Sequence, residues 1–570
     1  MIFPQLQENL IEKDFTSYFG GYNHNIYIKK NEFYDMENMT SDYYPVLSPR
    51  VKRGFIKQYD KFQGILAKEK MCIVDNDNLY YDNVLIGKLN DKYSGKNREL
   101  VSMGAYLVIF PDKMIFNTAS EEKKLEPLEA SFEADSGVAI TLCDLNATDY
   151  SYGTPSAKAP TSPTTGQYWL DTSGTSPVLK QYSTDMWVSI ATVYLKISKA
   201  GIGKDFSKYD GVTISNISDT KLNSDYVLYD CSDDYLVVVG LIDKNITDTP
   251  IKVERKVPDM DFVCESENRL WGCSSAKNEI YSCKLGDAKN WNCYMGVSTD
   301  SYTVTIGSDG DFTGAITHLG YVLFFKEDIL HKVYGSMPKD YRVTNVKLNG
   351  VQKGSHKSLC ILNSVLYYKS KDNICRFEGS LPSTISEPLG MESYDNAVAC
   401  TLKDKYYICM TNKSTGRRNI FVFDSVKGLW HKEDEVNVLD FGTYDGELYF
   451  IDDKGIRQDM YCIKGSQGEL QPFKWYAETG IIHSETLDKK YISKIQFRVS
   501  VEKGAKFEIY IDYDEENNWE KKFTIYATKN KVFTVPIIPR RCDYIRLRLT
   551  GEGDCKVFTI VKCIEEGSEI

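Results

Sequence analysis

Short apolar and aromatic runs, broken by turns bearing Asp, Asn or Gly, recur along most of the chain. The first is MCIVDNDNLYY at 71–81: an apolar strand, a polar tight turn and a second aromatic strand. Asp and Asn suit such turns because their side chains bond nearby backbone N–H groups and tolerate left-handed conformations. Related runs are YLVIFPDKMIF at 106–116, RLWGC at 269–273 with EIYS at 279–282, YVLFFKED at 321–328, VLYYKSKD at 365–372, KYYICM at 405–410 and ELYFIDDKG at 447–455. Apart from a wide gap after the second, their starts fall roughly 35–50 residues apart, the length of a four-stranded propeller blade. A sandwich hairpin would explain any one run, but sandwich strands recur every ~8–12 residues without a longer period. The pattern predicts an all-β chain: a six- to seven-bladed β-propeller with an inserted small β module and a C-terminal β-sandwich.

The propeller is expected over 56–117 and 257–474, after an extended N-terminal strap at 1–55. The gap at 118–256 reads as an insertion opened by TPSAKAPTSPTTG at 154–166, too poor in apolar residues to form a core. Behind it, QYWLDTS at 167–173, VLKQY at 178–182 and MWV at 186–188 predict three short strands. From 475 to 570 the texture changes to alternation, as in YIRLRL at 544–549, which places one face in a core and one in water.

Composition narrows the function. The chain has 40 Tyr and 25 Phe among 570 residues, which favours half-buried strand surfaces and contact patches. A formal net charge of −11, with basic pairs scattered, argues against tight nucleic-acid binding and suits a wall that DNA slides past. No export signal and no membrane span is expected, because no apolar run reaches the ~18 residues a spanning helix needs. The 15 Cys are an odd number and many lie in apolar runs, as at Cys72, Cys264, Cys360 and Cys409, so they read as free thiols. No Cys-x-x-Cys pair occurs and His numbers only six, so neither a metal site nor a cofactor is predicted.

Catalytic motifs are weaker still. The turn aspartates Asp75, Asp77, Asp112, Asp328, Asp372, Asp452 and Asp453 would supply a glycosidase pair only if two faced one cleft, and local turn bonding explains them. Ser183-Thr184-Asp185-Met186-Trp187 departs from the sialidase turn signature, and Asp424 to Trp430 reads as a blade turn. There is no nucleophile elbow or phosphate loop. His24, His318, His331, His356, His431 and His483 stand apart in sequence, and each is expected to be a hydrogen-bonded structural histidine. The chain is therefore expected not to be an enzyme. Its candidate contact residues are Trp169, Trp187, Tyr168 and Tyr182, whose rings would stack on a glycan or partner if the module does not use them as its own core.

Three N-terminal phrases, FGGYN at 19–23, EFYDMENM at 32–39 and YPVLSPR at 44–50, resemble the opening of propeller-type bacteriophage virion proteins. The likeness continues in RLWG at 269–272, KLGDAKNW at 284–291, FFKED at 324–328, HKVYG at 331–335 and GVQKGS at 350–355. These look like podovirus tail-nozzle and tail-stabilisation proteins and related proteins of prophages in low-GC Gram-positive bacteria. The resemblance implies a virion protein, assembled in the host cytoplasm, that forms a homo-oligomeric ring, with six the expected copy number. It implies other tail or connector proteins as partners and DNA passing without specific binding. Phe19, Gly20, Gly21, Tyr22 and Asn23 would form a strap docking on the propeller or a neighbour. The alternative is a carbohydrate- or receptor-binding propeller contacting the host surface, and a propeller hydrolase stands third.

Overall fold

The computed structural model describes residues 11–482, 489–514 and 517–566. It is all-β and propeller-type, built from many small antiparallel sheets. We label those of the main body P1 (62–88), P2 (99–127), P3 (262–305), P4 (314–347), P5 (360–384), P6 (394–435) and P7 (438–462). P1 to P6 are four-stranded meanders, as the spacing of the runs predicts. P7 takes only three strands from its own stretch, and Gly54–Tyr59 from the far end of the chain pairs alongside Gln458–Cys462.

Each sheet is covered on both faces, which explains the unbroken apolar runs. In Tyr106–Phe110, Leu107 and Ile109 join Cys72 and Val74 of P1, while Val108 and Phe110 join Val263 and Leu270 of P3. In Tyr321–Phe325, Val322 and Phe324 face P3, whereas Leu323 and Phe325 face P5. Side chains alternate along a strand, so a strand between two neighbours must be apolar at every position. The circle closes where Ile65 and Ile73 of P1 pack with Tyr449, Ile451 and Met460 of P7.

The propeller boundary lies beyond 117. Leu125–Pro127 is the outer strand of P2. Its brevity, its Glu and its Pro hide it from a reading based on apolar runs. The insertion that follows is two four-stranded sheets facing each other over Ile140, Leu195, Ile197, Val212, Leu236 and Val253. Tyr168–Asp171, Val178–Ser183 and Met186–Ser189 form a separate three-stranded sheet in one of its connections.

The C-terminal strands hang on one long strand, Lys490–Tyr513. Its first half pairs with Cys555–Glu566, its second half with Ile545–Glu552, and Glu520–Val535 runs along its other edge. Phe497 and Phe507 sit ten positions apart, yet their rings meet edge-on at 5.9 Å. Ten extended residues span about 33 Å. The strand therefore doubles back between them, so its two halves form opposing layers of one core. Two strands of the N-terminal strap complete this sheet: Ile11–Thr16 pairs with Cys555–Glu566, and Phe33–Glu37 with Lys474–Thr479.

Candidate functional site

The strap residues singled out in the sequence dock within their own chain, between P6 and the C-terminal layers. Phe19 is buried and stacks on Phe33 at 6.1 Å. The Gly20 N–H donates to the Asn31 carbonyl at 2.7 Å and the Tyr22 N–H to the Trp430 carbonyl at 2.7 Å, while the Asn23 amide donates to Glu32. Gly21 has φ +82°, and a Cβ there would lie 2.5 Å from the Trp430 carbonyl oxygen, so glycine is required. Asn38, at φ 60°, donates to the Lys474 carbonyl and accepts from Arg50 Nε at 2.6 Å.

Arg50 and Arg53 then enter a buried charge cluster with Glu433 and Asp434 of P6, with Arg53 Nη2 2.7 Å from Asp434 Oδ1. Burial works against the Asp434 anion, but the two guanidinium groups hold its carboxyl below the usual range. Next to them Asp42 takes ion pairs from Lys405 and Lys464, and Ser41 donates to Asp424 at 2.6 Å. His431, buried beside Gly21, is driven down to about 3 by burial and by Lys405. This clasp uses its polar groups to hold the strap in place.

The Trp pair lies in the small three-stranded sheet. Trp169 is buried, and its Nε1 donates to the Ser156 carbonyl at 3.1 Å. Trp187, half-buried, meets it edge-on at 5.3 Å and meets Tyr182 at 5.3 Å. Tyr168 packs against Tyr150 at 4.8 Å. The four candidate rings thus spend most of their surface on the module's own core. A groove of about 720 Å³ opens where the insertion meets P3, and Lys113, one of the cations that line it, already binds Glu129, Asp259 and the Val257 carbonyl. That arrangement is a joint.

A different chemistry lies on the propeller axis. The innermost strands of P2, P3, P5 and P7 start at Glu99, Phe262, Cys360 and Val438, and their starts converge around the short turn His356–Ser358 that precedes P5. His356 Nε2 lies 3.9 Å from Glu99 Oε2 of P2, and its ring is 5.1 Å from that of Phe262 of P3. Lys357 reaches in another direction to ion-pair with Asp440 of P7. Residues 356 and 357 therefore bridge the mouth of the axis, linking P5 to P2, P3 and P7.

The electrostatics there are uneven. Burial raises the Glu99 carboxyl and nearby Asp440 adds to the rise, against an opposing pull from Lys357. Burial, then Lys357, push His356 down to about 4, so it is a neutral imidazole near pH 7. Asp440 outweighs the burial cost at Lys357 and keeps the ammonium charged. Around the same mouth burial pushes Cys264 and Cys400 up to about 12, so they remain thiols. The 3.9 Å spacing is too long for a hydrogen bond, and among the described residues no donor or acceptor completes Glu99 or the His356 ring. Both keep solvent access, at 40% and 31% of the side chain. Glu99, His356 and Asp440 are far apart in sequence, where His356 reads as one more structural histidine. His24, His318 and His331 do make hydrogen bonds. His483 lies outside the described residues.

Among the described residues no group of three or more His, Cys, Asp or Glu is placed to hold a metal, and no helix is long and apolar enough to cross a membrane.

No protein-family model and no curated protein matches the chain. Similar solved structures include the exo-β-1,3-galactanase of Phanerochaete chrysosporium, at 8% identity over 52% of this chain and 92% of that one, TM-score 0.21. A GH43 glycoside hydrolase with endo-xylanase and exo-arabinofuranosidase activity matches at 10% identity over 55% and 97%, TM-score 0.21. The extracellular domain of a putative one-component system from B. thetaiotaomicron matches at 10% identity over 92% and 98%, TM-score 0.23. Likeness at this level gives no substrate or reaction. It does correct one expectation: glycoside hydrolases stand among the similar structures, so an arrangement of this kind gives no ground for excluding catalysis, and the expectation of a non-enzyme is withdrawn.

Proposed function

We propose that the chain is a bacteriophage virion component, a tail-nozzle, hub or head-tail connector protein built on a seven-bladed propeller of P1 to P7. The observation that carries this reading is the clasp. The three N-terminal phrases behind the virion resemblance each meet a separate demand of one joint: Gly21 passing under the Trp430 carbonyl, Asn38 holding Arg50 and the Lys474 carbonyl, and Arg50 pairing with P6. Chains that share the phrases would share the joint, and with it the fixed placing of propeller and C-terminal layers.

A fixed joint suits a subunit that carries load in a ring. The strap leaves Phe15, Tyr18, Ile26 and Tyr27 exposed, apolar surface that a neighbouring subunit would cover. The net charge of −11 suits a conduit wall that DNA passes without sticking. Electron microscopy of the purified protein and of particles tests this: a ring or axial complex supports it, and a monomer retained on host cell wall overturns it. The second reading, a carbohydrate- or receptor-binding propeller, is favoured by the open hydrogen-bonding groups on the axis.

A further inference from the structure

The axial mouth has no part in the clasp, and its acid and imidazole face each other within reach of solvent with no hydrogen-bond partner among the described residues. Three buried cations show the usual solution. Lys326 donates to Asn278 and to the Ser308 carbonyl, Lys369 to two backbone carbonyls, and Arg269 to three. At the mouth, Lys357 and Asp440 satisfy each other, but Glu99 and His356 face one another across 3.9 Å with neither completed. Both stay in reach of solvent, so their open hydrogen-bonding sites are available to a molecule that enters the mouth.

The chemistry of that partner is narrow. Glu99 is an acceptor when ionised, and a neutral imidazole always offers one acceptor nitrogen, so the partner must donate. The formal charge of Glu99, Asp440 and Lys357 together is −1 with His356 neutral, which disfavours phosphates, sulfates and acidic sugars. The Phe262 ring beside His356 adds an apolar surface. Adjacent hydroxyls on a ring that also has an apolar C–H face fit all three conditions.

We propose that the mouth of the propeller axis binds a single uncharged sugar ring, with Glu99 and His356 accepting from neighbouring hydroxyls and Phe262 packing against the ring. The site goes beyond the virion reading and holds whether or not the chain forms a ring.

The test is titration of the full chain with D-glucose, D-galactose, D-mannose and N-acetylglucosamine by ligand-observed NMR, with ethylamine as a cationic donor. Saturable binding of at least one sugar is expected, weakened tenfold or more in Glu99→Ala and in His356→Ala and unchanged in Trp187→Ala. Circular dichroism and thermal melting check that each variant is folded. His356→Gln, which keeps an acceptor, is expected to restore part of the affinity and guards against misreading a folding defect. No saturable binding in the unaltered protein overturns the proposal. So does binding that survives Glu99→Ala, or that is lost in Trp187→Ala, or saturation by ethylamine alone. A ring in electron microscopy bears only on the virion reading, so the two stand or fall separately.

Discussion

The clasp and the axial mouth are built from the same kinds of residue and treat them in opposite ways. In the clasp, Arg50, Arg53, Glu433 and Asp434 are grouped so that every charge has an opposite charge in contact. At the mouth, one ion pair is closed and the adjoining acid and imidazole are left open. A buried charge network makes a joint that fails when one member is removed, whereas an incomplete pair does little for the fold. The contrast separates polar groups that hold the structure from polar groups kept for something else.

The sharpest way to break this comparison is Glu433→Ala. Removing one partner of a buried charge cluster is expected to cost about 3–5 kcal/mol, because Arg53 is left facing fewer anions in a dry site. Denaturant unfolding measures it, and a loss below about 1 kcal/mol would remove the distinction between the two regions.

Acid titration gives the next effect. His431 has its folded pKa lowered from 6.5 to about 3. Between those values the unfolded chain binds more protons than the folded one, so this contribution is complete above pH 6.5 and is lost as pH falls towards 3. The loss is expected to be about 2–4 kcal/mol, and His431→Asn should flatten that part of the stability-against-pH curve. An unchanged slope would mean that His431 is not what makes the clasp acid-sensitive.

The two regions also differ in how far the sequence reveals them. Doubly buried strands announce themselves, since Leu107 and Val108 must both be apolar when they face different sheets. The turns between them are equally legible from Asp and Asn. The strap phrases mark an interaction, though not that its target lies in the same chain. Closure of P7 by Gly54–Tyr59 leaves no local trace, because its partner strand Gln458–Cys462 is some 400 positions away and pairs through backbone. The axial mouth is hidden for a related reason: Glu99 and Asp440 lie in separate apolar strands and His356 and Lys357 in a polar turn, and only closing the circle brings them together. The bend in Lys490–Tyr513 was equally silent, since both halves carry the same alternation.

Glycine offers a finer test of the clasp. Gly21→Ala forces a side chain into φ +82° and against the Trp430 carbonyl, whereas Gly428→Ala meets a similar φ of +66° with nothing within 4 Å. Strain alone is expected to cost each about 1 kcal/mol, and the clash adds roughly 1–2 kcal/mol at Gly21. Equal losses in differential scanning calorimetry would show that the strap is looser on P6 than its hydrogen bonds imply.

The smallest effect belongs to the mouth and carries the opposite sign with pH. Because Glu99 has a raised folded pKa, the folded chain binds more protons than the unfolded one just above the ordinary glutamate range, so its contribution falls as pH rises. Glu99→Gln removes a charge that no donor among the described residues stabilises, and is expected to change stability at pH 7 by less than about 1 kcal/mol, in the direction of gain. The same change in the clasp, Glu433→Gln, leaves two buried guanidinium groups short of an anion and is expected to destabilise. Measured side by side in urea, a gain at one glutamate and a loss at the other would show that burial alone does not decide what a carboxylate is for; its partners do.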